Sequence, residues 1–255
     1  MQNKLKLLVA SHKPYWMPAG SLYLPVQVGS AGRTSICGFQ RDDEGENISF
    51  KNPRYCELTA LYWGWKNLDF SYLGLAHYRR YFAGSGERGV ATEQDIMRKL
   101  DEVPVVLPKK RRYYIETVES HYAHTFEQAQ LDVLRGVLAR HAPDVLPYFN
   151  KHMESRSAHI WNMMVMRQDI VSQWCEWLFP ILQQVEDLVD FSQMSPFEAR
   201  LIGRLSERLL DPWLASRAIP FSEMPVISLE KVRWGKKGRS FLAAKFRGHK
   251  YTESF

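Results

Sequence analysis

Residues 72–82 of the chain read YLGLAHYRRYF, and this stretch is the most informative part of the sequence for the fold. Its first half, residues 72–76, is a short apolar run typical of a buried strand. The polar cluster of residues 77–81, His-Tyr-Arg-Arg-Tyr, begins where that run ends. In α/β sheets, ligands bind outside the carboxyl ends of the strands. The stretch therefore predicts a buried strand that ends at a ligand site.

Other segments of the chain also have the pattern of buried strands. Residues 4–10 alternate and then run apolar, and His12-Lys13-Pro14 marks the end of that run. Residues 103–107 and 159–166 are further strand candidates. Because the carboxyl ends of parallel strands meet at one edge of a sheet, we expect the polar residues beside these ends to share a site.

Helix-start signals lie between the strand segments. Asn52-Pro53 fits a helix start, because Asn caps the first turn and Pro at the first position loses no needed donor; this helix should run to residues 66–67. Residues 170–189 should be helical with a break near Pro180. Capping-box patterns open further helices at Thr92-x-x-Asp95, Thr125-x-x-Gln128 and Ser195-x-x-Glu198. Alternating strands and helices predict an α/β fold, a single three-layer domain.

The composition excludes several classes of protein. With 45% hydrophobic residues over 255 positions, the chain can fill a globular core. The richest apolar stretch, residues 174–182, is far shorter than the roughly 20 residues of a bilayer span and contains Glu176 and Pro180. The N terminus lacks the apolar run of a secretion signal, and the three cysteines have no disulfide or metal spacing. These features predict a cytoplasmic protein that does not span the membrane.

The net charge of +6 is concentrated near the C terminus. Residues 231–250 contain eight Lys and Arg and no acid, interleaved with Trp234, Phe241, Leu242 and Phe246. The remainder is nearly neutral, which argues against an extended nucleic-acid groove. We therefore divide the chain into a folded domain, residues 1–230, and a basic amphipathic tail, residues 231–255. The tail is expected to bind an anionic membrane face, and the alternative is a disordered solubilising tail.

The two arginines of the opening stretch are the first candidate site residues. Arg79 and Arg80, with His77 beside them, have the chemistry to hold a diphosphate, because a guanidinium matches phosphate oxygens in bidentate fashion. The alternative is a surface salt-bridge cluster. Further polar residues in or beside strand ends are His12, Lys13, residues 109–112 and Asn162.

A second polar group lies in and around the first helix. Its members are Asn47, Ser49, Lys51, Asn52 and Glu57. The structural alternative makes Asn52 a cap and Glu57 a partner of the helix dipole, each contributing at most about 1 kcal/mol. We expect ligand contact and these roles to coexist.

Two sets of acids are candidates for catalysis. Asp42 and Asp43 lie in the long loop of residues 29–45, where they suit a cation or an acceptor hydroxyl, although turn chemistry also favours Asp. On the last helix, Arg200, Arg204 and Glu207 share one polar face, so Glu207 is a candidate base, or one member of a solvated charge network. The D-x-D pattern is absent from the chain, so no metal ligand set is predicted.

A series of short motifs extends over nearly the whole chain. In order they are residues 11–15 (SHKPY), 43–49 (DEGENIS), 51–53 (KNP), 55–59 (YCELT), 62–67 (YWGWKN), 74–82 (GLAHYRRYF), 107–109 (LPK), 162–163 (NM), 177–179 (WLF) and 207–209 (ERL). With these motifs the chain resembles the bacterial capsular polysaccharide, exopolysaccharide and O-antigen glycosyltransferases of the His-Tyr-Arg-Arg-Tyr type. So many motifs in one order are specific for membership and much less so for substrate.

The resemblance implies a GT-A-like, Rossmann-related domain that uses a UDP-hexose, with galactose in pyranose or furanose form as the best guess. The implied acceptor is a lipid-linked glycan at the inner face of the cytoplasmic membrane. By analogy with GT-A enzymes, Arg79 and Arg80 stand where a metal site would be, so no obligatory cofactor is predicted and dependence on manganese or magnesium stays open. The implied donor-binding residues are His12, Lys13, Asn47, Ser49, Lys51, Asn52, Glu57, His77, Tyr78, Arg79, Arg80 and Asn162.

Three functions follow from these features. The first is an inverting transferase in which Glu207 or Asp43 takes the acceptor proton while arginines stabilise the departing diphosphate. The second is a nucleic-acid-binding protein that uses the basic tail and the arginine pair. The third is a non-catalytic assembly factor of the polysaccharide machinery. The resemblance favours the transferase, with no nucleic acid among its partners.

Overall fold

A computed structural model describes residues 4–230, and over this range the chain alternates short strands with helices. The strands are β1 (Leu5–Ser11), β2 (Tyr23–Gln27), β3 (Gln40–Arg41), β4 (Tyr72–His77), β5 (Arg80–Phe82), β6 (Val105–Pro108), β7 (Arg111–Arg112), β8 (Ser157–Ala158), β9 (Met164–Arg167), β10 (Ser222–Met224) and β11 (Val226–Ser228). The α-helices are α1 (Asn52–Tyr55), α2 (Leu58–Asn67), α3 (Glu93–Leu100), α4 (Val118–Thr125), α5 (Gln128–His141), α6 (Leu146–Glu154), α7 (Gln168–Leu188), α8 (Leu201–Ser206) and α9 (Leu210–Ser216). Short 3-10 helices occupy Ser49–Lys51, Glu87–Gly89 and Glu198–Arg200.

One sheet organises the domain. Its strand order is β10-β6-β9-β4-β1-β2-β3, and β5 pairs with both β4 and β11 at one end of β4. β1 pairs in parallel with β2 and β4, whereas β9 is antiparallel to its neighbours β4 and β6. The carboxyl ends of β1, β2, β4 and β6 therefore lie at one edge together with the amino end of β9. We call this edge the carboxyl edge.

Both faces of the sheet are covered. Along β1, Leu8 and Ala10 belong to a core with α2, α5 and α7, while Leu7 and Val9 belong to a second core with α3. All four side chains are buried, as the near-continuous apolar run requires of a parallel strand covered on both faces. The α/β class and the three-layer arrangement predicted from the sequence are thus observed.

The helix expected from Asn52 to residues 66–67 is interrupted. α1 ends at Tyr55, Cys56 has a φ of 54°, and α2 begins at Leu58 with Glu57 as its N-cap residue. Asn52 makes no side-chain cap bond, so its predicted capping role is wrong. Its Nδ2 instead donates to the Cys56 carbonyl at 2.8 Å and to Thr59 Oγ1 at 3.2 Å. These bonds fix the interruption, which turns Glu57 out of the helix interior.

Two further expectations about helices are wrong. Thr125 ends α4 instead of opening α5, and the capping box belongs to Thr117 and Ser120 at the start of α4. α7 is continuous through Pro180, because the buried residues on both sides of the proline keep the helix packed on the core. The capping boxes of Thr92 with Asp95 and of Ser195 with Glu198 are confirmed.

Two expectations about the later part of the chain need correction as well. The strand expected over residues 159–166 begins only at Met164, because Trp161 and Asn162 have φ values of 75° and 53°. The last major helix is divided into a 3-10 turn, α8 and α9. Between residues 4 and 230, none of the helices has the length and apolar character needed to cross a membrane. The tail of residues 231–255 lies outside the described residues, so the proposed domain division stays a prediction.

Gly74 lies in the middle of β4, and we expect its replacement by alanine to destabilise the fold. An added Cβ would lie 2.8 Å from the Met164 carbonyl oxygen and 3.0 Å from Leu7 Cγ. Overpacking of this kind lowers the free energy of unfolding by about 1–3 kcal/mol. The matched control is Gly136→Ala in α5, where nothing lies within 4 Å of the added Cβ and where alanine should stabilise the helix by about 0.5–1 kcal/mol. Denaturant unfolding of both variants measures the difference, and equal stabilities would contradict the packing of β4 against β9.

Candidate functional site

The carboxyl edge brings Glu57, His77 and Asn162 together. Asn162 Nδ2 donates to Glu57 Oε1 at 2.7 Å and to the Gly203 carbonyl at 3.0 Å. Ser206 Oγ donates to Asn162 Oδ1 at 2.7 Å. His77 Nε2 lies 4.0 Å from Glu57 Oε1. The three polar groups, which we call the Glu57 group, therefore hold a carboxylate and an imidazole in fixed positions at the end of β4.

The local backbone explains how distant residues meet here. Asn162 precedes β9, and because β9 is antiparallel its amino end lies at the carboxyl edge. Trp161 and Asn162 adopt left-handed backbone conformations that a Trp rarely adopts. The Trp161 carbonyl accepts a hydrogen bond from His77 Nε2 at 2.5 Å, so the turn is bonded directly to β4. Backbone strain of this kind is found where surrounding contacts over-determine a site.

Arg79 and Arg80 lie on a tight hairpin next to the Glu57 group. Tyr78 and Arg79 form the turn between β4 and β5, in which His77 pairs with Arg80. The Arg80 guanidinium lies over the Trp161 ring, 5.1 Å from its centroid, and Arg79 Nη1 is 3.3 Å from Glu230 Oε2. Burial and the adjacent Arg79 lower the pKa of Arg80 from its ordinary value, although arginine remains charged in proteins. Two neighbouring guanidinium groups at a strand end have the charge and shape that phosphate oxygens require.

Further cations surround His12, just after β1. Partial burial lowers the pKa of His12 from its ordinary value, and the charges of Lys13, Arg79, Arg200 and Arg33 lower it further. These effects favour the neutral imidazole within a positive field that suits a polyanion. Arg33 was missed by the sequence reasoning, because the loop that carries it has no period and no motif.

Tyr78 contributes packing to this positive field. Its ring meets the rings of His12 and Tyr15 edge-on, with centroid distances of 5.5 and 4.9 Å. The Lys13 ammonium lies 5.4 Å from the Tyr78 ring centroid. Since Tyr78 is buried, it positions His12 and Lys13 by contact.

Asp42 is the centre of a buried polar network below the loop that follows β2. Its carboxylate accepts hydrogen bonds from the backbone N–H groups of Gly29 and Ser30 and from the hydroxyls of Ser30, Ser49 and Thr59, at 2.5 to 3.0 Å. The side chain is fully buried. Asp42 therefore does not face a cation or an acceptor, and the sequence-based suggestion of that role is wrong for this residue. Ser49 is one of the groups that bond it.

Asp43, next in sequence, is held by an arginine. Arg41 Nε and Nη2 donate to its two carboxylate oxygens at 2.9 and 2.6 Å, and Ser30 Oγ, whose single proton is shared with Asp42, lies 2.8 Å from Asp43 Oδ1. The bond from Arg41 lowers the pKa of Asp43 below its usual range. A carboxylate with a lowered pKa and a bidentate partner is a weak proton acceptor.

The remaining residues of the second polar group bond within the loop and to α7. Asn47 donates to the carbonyls of Asp43 and Gly45, at 3.0 and 2.8 Å. Lys51 pairs with Glu186 of α7 at 2.6 Å. The structure thus does not join Asn47, Ser49, Lys51 or Asn52 directly to the Glu57 group, and their part in donor binding stays a prediction.

Glu207 lies just after α8, beside the Glu57 group. It is one-fifth exposed and accepts a hydrogen bond from buried Arg208 Nη1 at 2.5 Å. Together with Asn162 and Leu58 it lines a small cavity under the carboxyl edge. The predicted polar face shared by Arg204 and Glu207 is wrong. The Arg204 guanidinium lies instead over the rings of Phe126 and Phe197, at 4.1 and 4.4 Å from their centroids. Burial lowers the pKa of Arg204 to about 10.

The residues at this edge do not form a ligand set for a divalent cation. Within residues 4–230, no group of three or more His, Cys, Asp or Glu side chains is arranged to hold a metal ion. At the end of β4, His77 Nε2 donates to a carbonyl, and guanidinium groups follow it along the hairpin. We therefore derive no chemical step through a metal.

His152 makes the stability of the domain depend on pH. Burial lowers its pKa from 6.5 to about 4, and its Nδ1 lies 3.6 Å from Asp211 Oδ2. Between pH 6.5 and 4, the His152 imidazole therefore binds a proton in the unfolded chain but not in the folded chain. The free energy of unfolding falls as the pH falls through this window. We expect a loss of roughly 2 kcal/mol from this group between pH 7 and pH 5. His152→Gln should lack this loss in denaturant unfolding at the two pH values, and parallel losses in both proteins would contradict the assignment.

Comparisons with known proteins identify the family of the chain and a similar fold. Residues 6–218 match the model of a family described as a domain of unknown function, DUF4422. A comparison with curated proteins found no match. Among solved structures, the apo structure of the WbbM bifunctional glycosyltransferase matches 90% of this chain with a TM-score of 0.81 and 28% identity. The chain spans 46% of the length of that protein. The GT-A-like fold expected from the sequence is confirmed.

Proposed function

The chain belongs to the DUF4422 family, and from this premise we propose that it is a glycosyltransferase with its active site at the carboxyl edge. The observation that carries the proposal is the meeting of the Glu57 group with Arg79 and Arg80 at the end of β4. The similarity of the fold to a bifunctional glycosyltransferase supports it. The finer proposal is transfer of a hexose, with galactose as the best guess, from a UDP-sugar to a lipid-linked glycan of a capsule, O-antigen or exopolysaccharide.

We propose that the diphosphate of the donor lies against the cations of the carboxyl edge. Arg79 and Arg80 supply paired donors that match phosphate oxygens, and His12 and Lys13 lie in the same positive field. Glu57 retains a carboxylate oxygen that can accept a hydrogen bond from a sugar hydroxyl, because Asn162 bonds only its other oxygen, Oε1. In this arrangement the arginines supply the charge stabilisation that a metal supplies in other transferases.

The proposed reaction inverts the anomeric centre. An acceptor hydroxyl attacks the anomeric carbon, a new C–O bond forms, and the bond between that carbon and the UDP oxygen breaks. Glu207 takes the hydroxyl proton, and UDP leaves with the bonding electrons next to the guanidinium groups. We favour Glu207 over Asp43, because Arg41 lowers the pKa of Asp43 and holds both of its oxygens.

The proposed place of reaction is the inner face of the cytoplasmic membrane. A lipid-linked acceptor lies in that membrane, and the basic tail, which is outside the described residues, would attract anionic lipids. The chain spans less than half of the bifunctional protein it resembles, and the single transferase activity that we propose is assigned to the domain of residues 4–230.

Turnover tests the proposal directly. The full chain is incubated with UDP-galactopyranose, UDP-galactofuranose and UDP-glucose, each with and without lipid-linked oligosaccharide extracted from bacterial membranes. With one of the three donors, we expect UDP to be released only when the acceptor is present. NMR of the product should show the inverted anomeric configuration. No UDP release with any of the three donors, with or without the acceptor, would favour the assembly factor. Salt-sensitive retention of RNA or DNA without UDP release would favour nucleic-acid binding.

A further inference from the structure

The segment between β6 and α4 carries an exposed cationic surface with large apolar side chains. We call it the β6–α4 patch, and it consists of Lys109, Lys110, Arg111, Arg112, Tyr114, Ile115 and the neighbouring Arg156. Tyr114 is 76% exposed and Ile115 is 62% exposed, which are among the highest values of any large hydrophobic residue in the described chain. Two adjacent exposed apolar side chains within a run of cations give this surface both an apolar and a cationic character.

The backbone of the patch is held in place by the fold. Arg111 and Arg112 form β7, which pairs with β8 through Ala158 and Ser157. The Tyr113 N–H donates to the Arg156 carbonyl at 2.9 Å, and the Tyr113 ring is buried. Tyr114 has a φ of 58°, in the left-handed region that bulky residues seldom adopt. The fold therefore turns Tyr114 and Ile115 outward on a paired, anchored segment.

Asp211 Oδ1 lies 3.9 Å from Lys110 Nζ, and two other acids near the patch bond to histidines. Glu116 is buried and accepts hydrogen bonds from His121 and His124, each at 2.8 Å. Glu223 accepts a hydrogen bond from His159 at 3.0 Å. Within residues 4–230, no carboxylate oxygen lies within 4.0 Å of a side-chain nitrogen of Arg111 or Arg112. The charges of Arg111 and Arg112 are therefore available to an external anion.

We propose that the β6–α4 patch docks on an anionic lipid bilayer, with Tyr114 and Ile115 inserted at the headgroup level and the flanking cations on lipid phosphates. Apolar side chains next to Lys and Arg suit an interface that is apolar on one side and anionic on the other. A bilayer surface meets the cations and the two apolar side chains together, whereas the phosphate backbone of a nucleic acid meets only the cations. This contact is separate from the predicted contact of the tail and requires no transferase activity.

The docking orients the carboxyl edge. The patch follows β6 directly, and β6 ends at the same edge as β4. Membrane contact at Tyr114 and Ile115 thus places the ends of β4 and β6 near the bilayer surface. Resting on the proposed function, this orientation would present the active site to an acceptor embedded in the membrane.

A fluorescent probe at the patch tests the docking. In a full-length chain carrying Cys37→Ser, Ile115→Cys is labelled with the environment-sensitive dye NBD, and Phe50→Cys, at a site that is 72% exposed, is the matched control. With vesicles of phosphatidylglycerol and phosphatidylcholine, we expect the emission at position 115 to rise and shift to the blue while position 50 is unchanged. No change at position 115, or an equal change at both positions, would overturn the proposal whether or not the tail binds.

Charge removal gives a second, independent test. Arg111→Ala with Arg112→Ala should weaken vesicle binding of the full chain about 30-fold, because each cation near an anionic surface contributes about 5-fold. The matched control is Arg98→Ala with Arg140→Ala, two exposed arginines on α3 and α5, which should change binding less than 2-fold. Equal losses of vesicle affinity in the two double variants would show that only net charge matters, and would overturn the proposed docking. Because neither test measures transfer, the docking can fail while the proposed activity holds, and the reverse.

Discussion

Replacement of Arg80 by lysine is expected to lower kcat/KM by about 100-fold or more, and Arg79→Lys should have an effect of the same kind. A lysine keeps the positive charge but offers a point charge in place of a planar fork, so it cannot reproduce a bidentate contact with phosphate. The Arg80 guanidinium also lies over the ring of Trp161, whose carbonyl bonds His77, so this contact holds it near the Glu57 group. The loss should be largest in kcat, because negative charge accumulates on the diphosphate as the sugar departs.

Steady-state kinetics with the donor identified by UDP release measures this effect. The control is Arg140→Lys on the exposed surface of α5, which should leave the kinetics unchanged. Thermal unfolding of each variant shows whether the fold is intact. Unchanged turnover in both the Arg79 and the Arg80 variants would remove the hairpin from the active site.

Glu207→Gln is expected to lower kcat by roughly 1000-fold, because loss of a general base costs about 100- to 10,000-fold. Glutamine keeps the shape and an oxygen that can accept the Arg208 hydrogen bond, so the variant removes the proton acceptor and preserves the contact at 2.5 Å. Donor binding should therefore persist while turnover falls.

Asp43→Asn is the matched comparison for this prediction. Since Asp43 is held by Arg41 and Ser30, its replacement should alter stability more than the proton-transfer step. The two variants are compared in kcat and in donor affinity at the same pH. Loss of kcat with Asp43→Asn and its retention with Glu207→Gln would exchange the assignments of the two carboxylates.

Local sequence patterns predicted the strands and helix starts of this fold better than the contacts between residues far apart in the chain. The apolar run before His77 and the capping boxes of Thr92 and Ser195 depend on neighbours in the chain, so they could be identified from the sequence. The contact of Asn162 with Glu57 joins residues 105 positions apart. It arises because β9 is antiparallel, and no local pattern specifies the direction of a strand in a sheet.

The polar residues of the first loop show a different limit. Asp42 and Asp43 are alike in sequence, yet one is a fully buried acceptor of five hydrogen bonds and the other is held by Arg41 at the surface of the same loop. Burial and the positions of distant donors decide between these roles. The interruption of the first helix at Cys56 likewise depends on the bond from Asn52 and on packing, which helix propensity does not contain.

Binding of a nucleotide sugar is the most direct test of the central claim that the carboxyl edge holds a nucleoside diphosphate-sugar. Thermal unfolding of the full chain is measured with UDP, GDP, CMP and dTDP sugars and with the free nucleotides. At 100 times its Kd a ligand stabilises the folded state by about 2.7 kcal/mol, so we predict that UDP or a UDP-sugar raises Tm by roughly 5–10 °C. The rise should be smaller in Arg79→Lys and Arg80→Lys and unchanged in Arg140→Lys. A Tm that stays the same with every nucleotide and every sugar nucleotide would contradict the account.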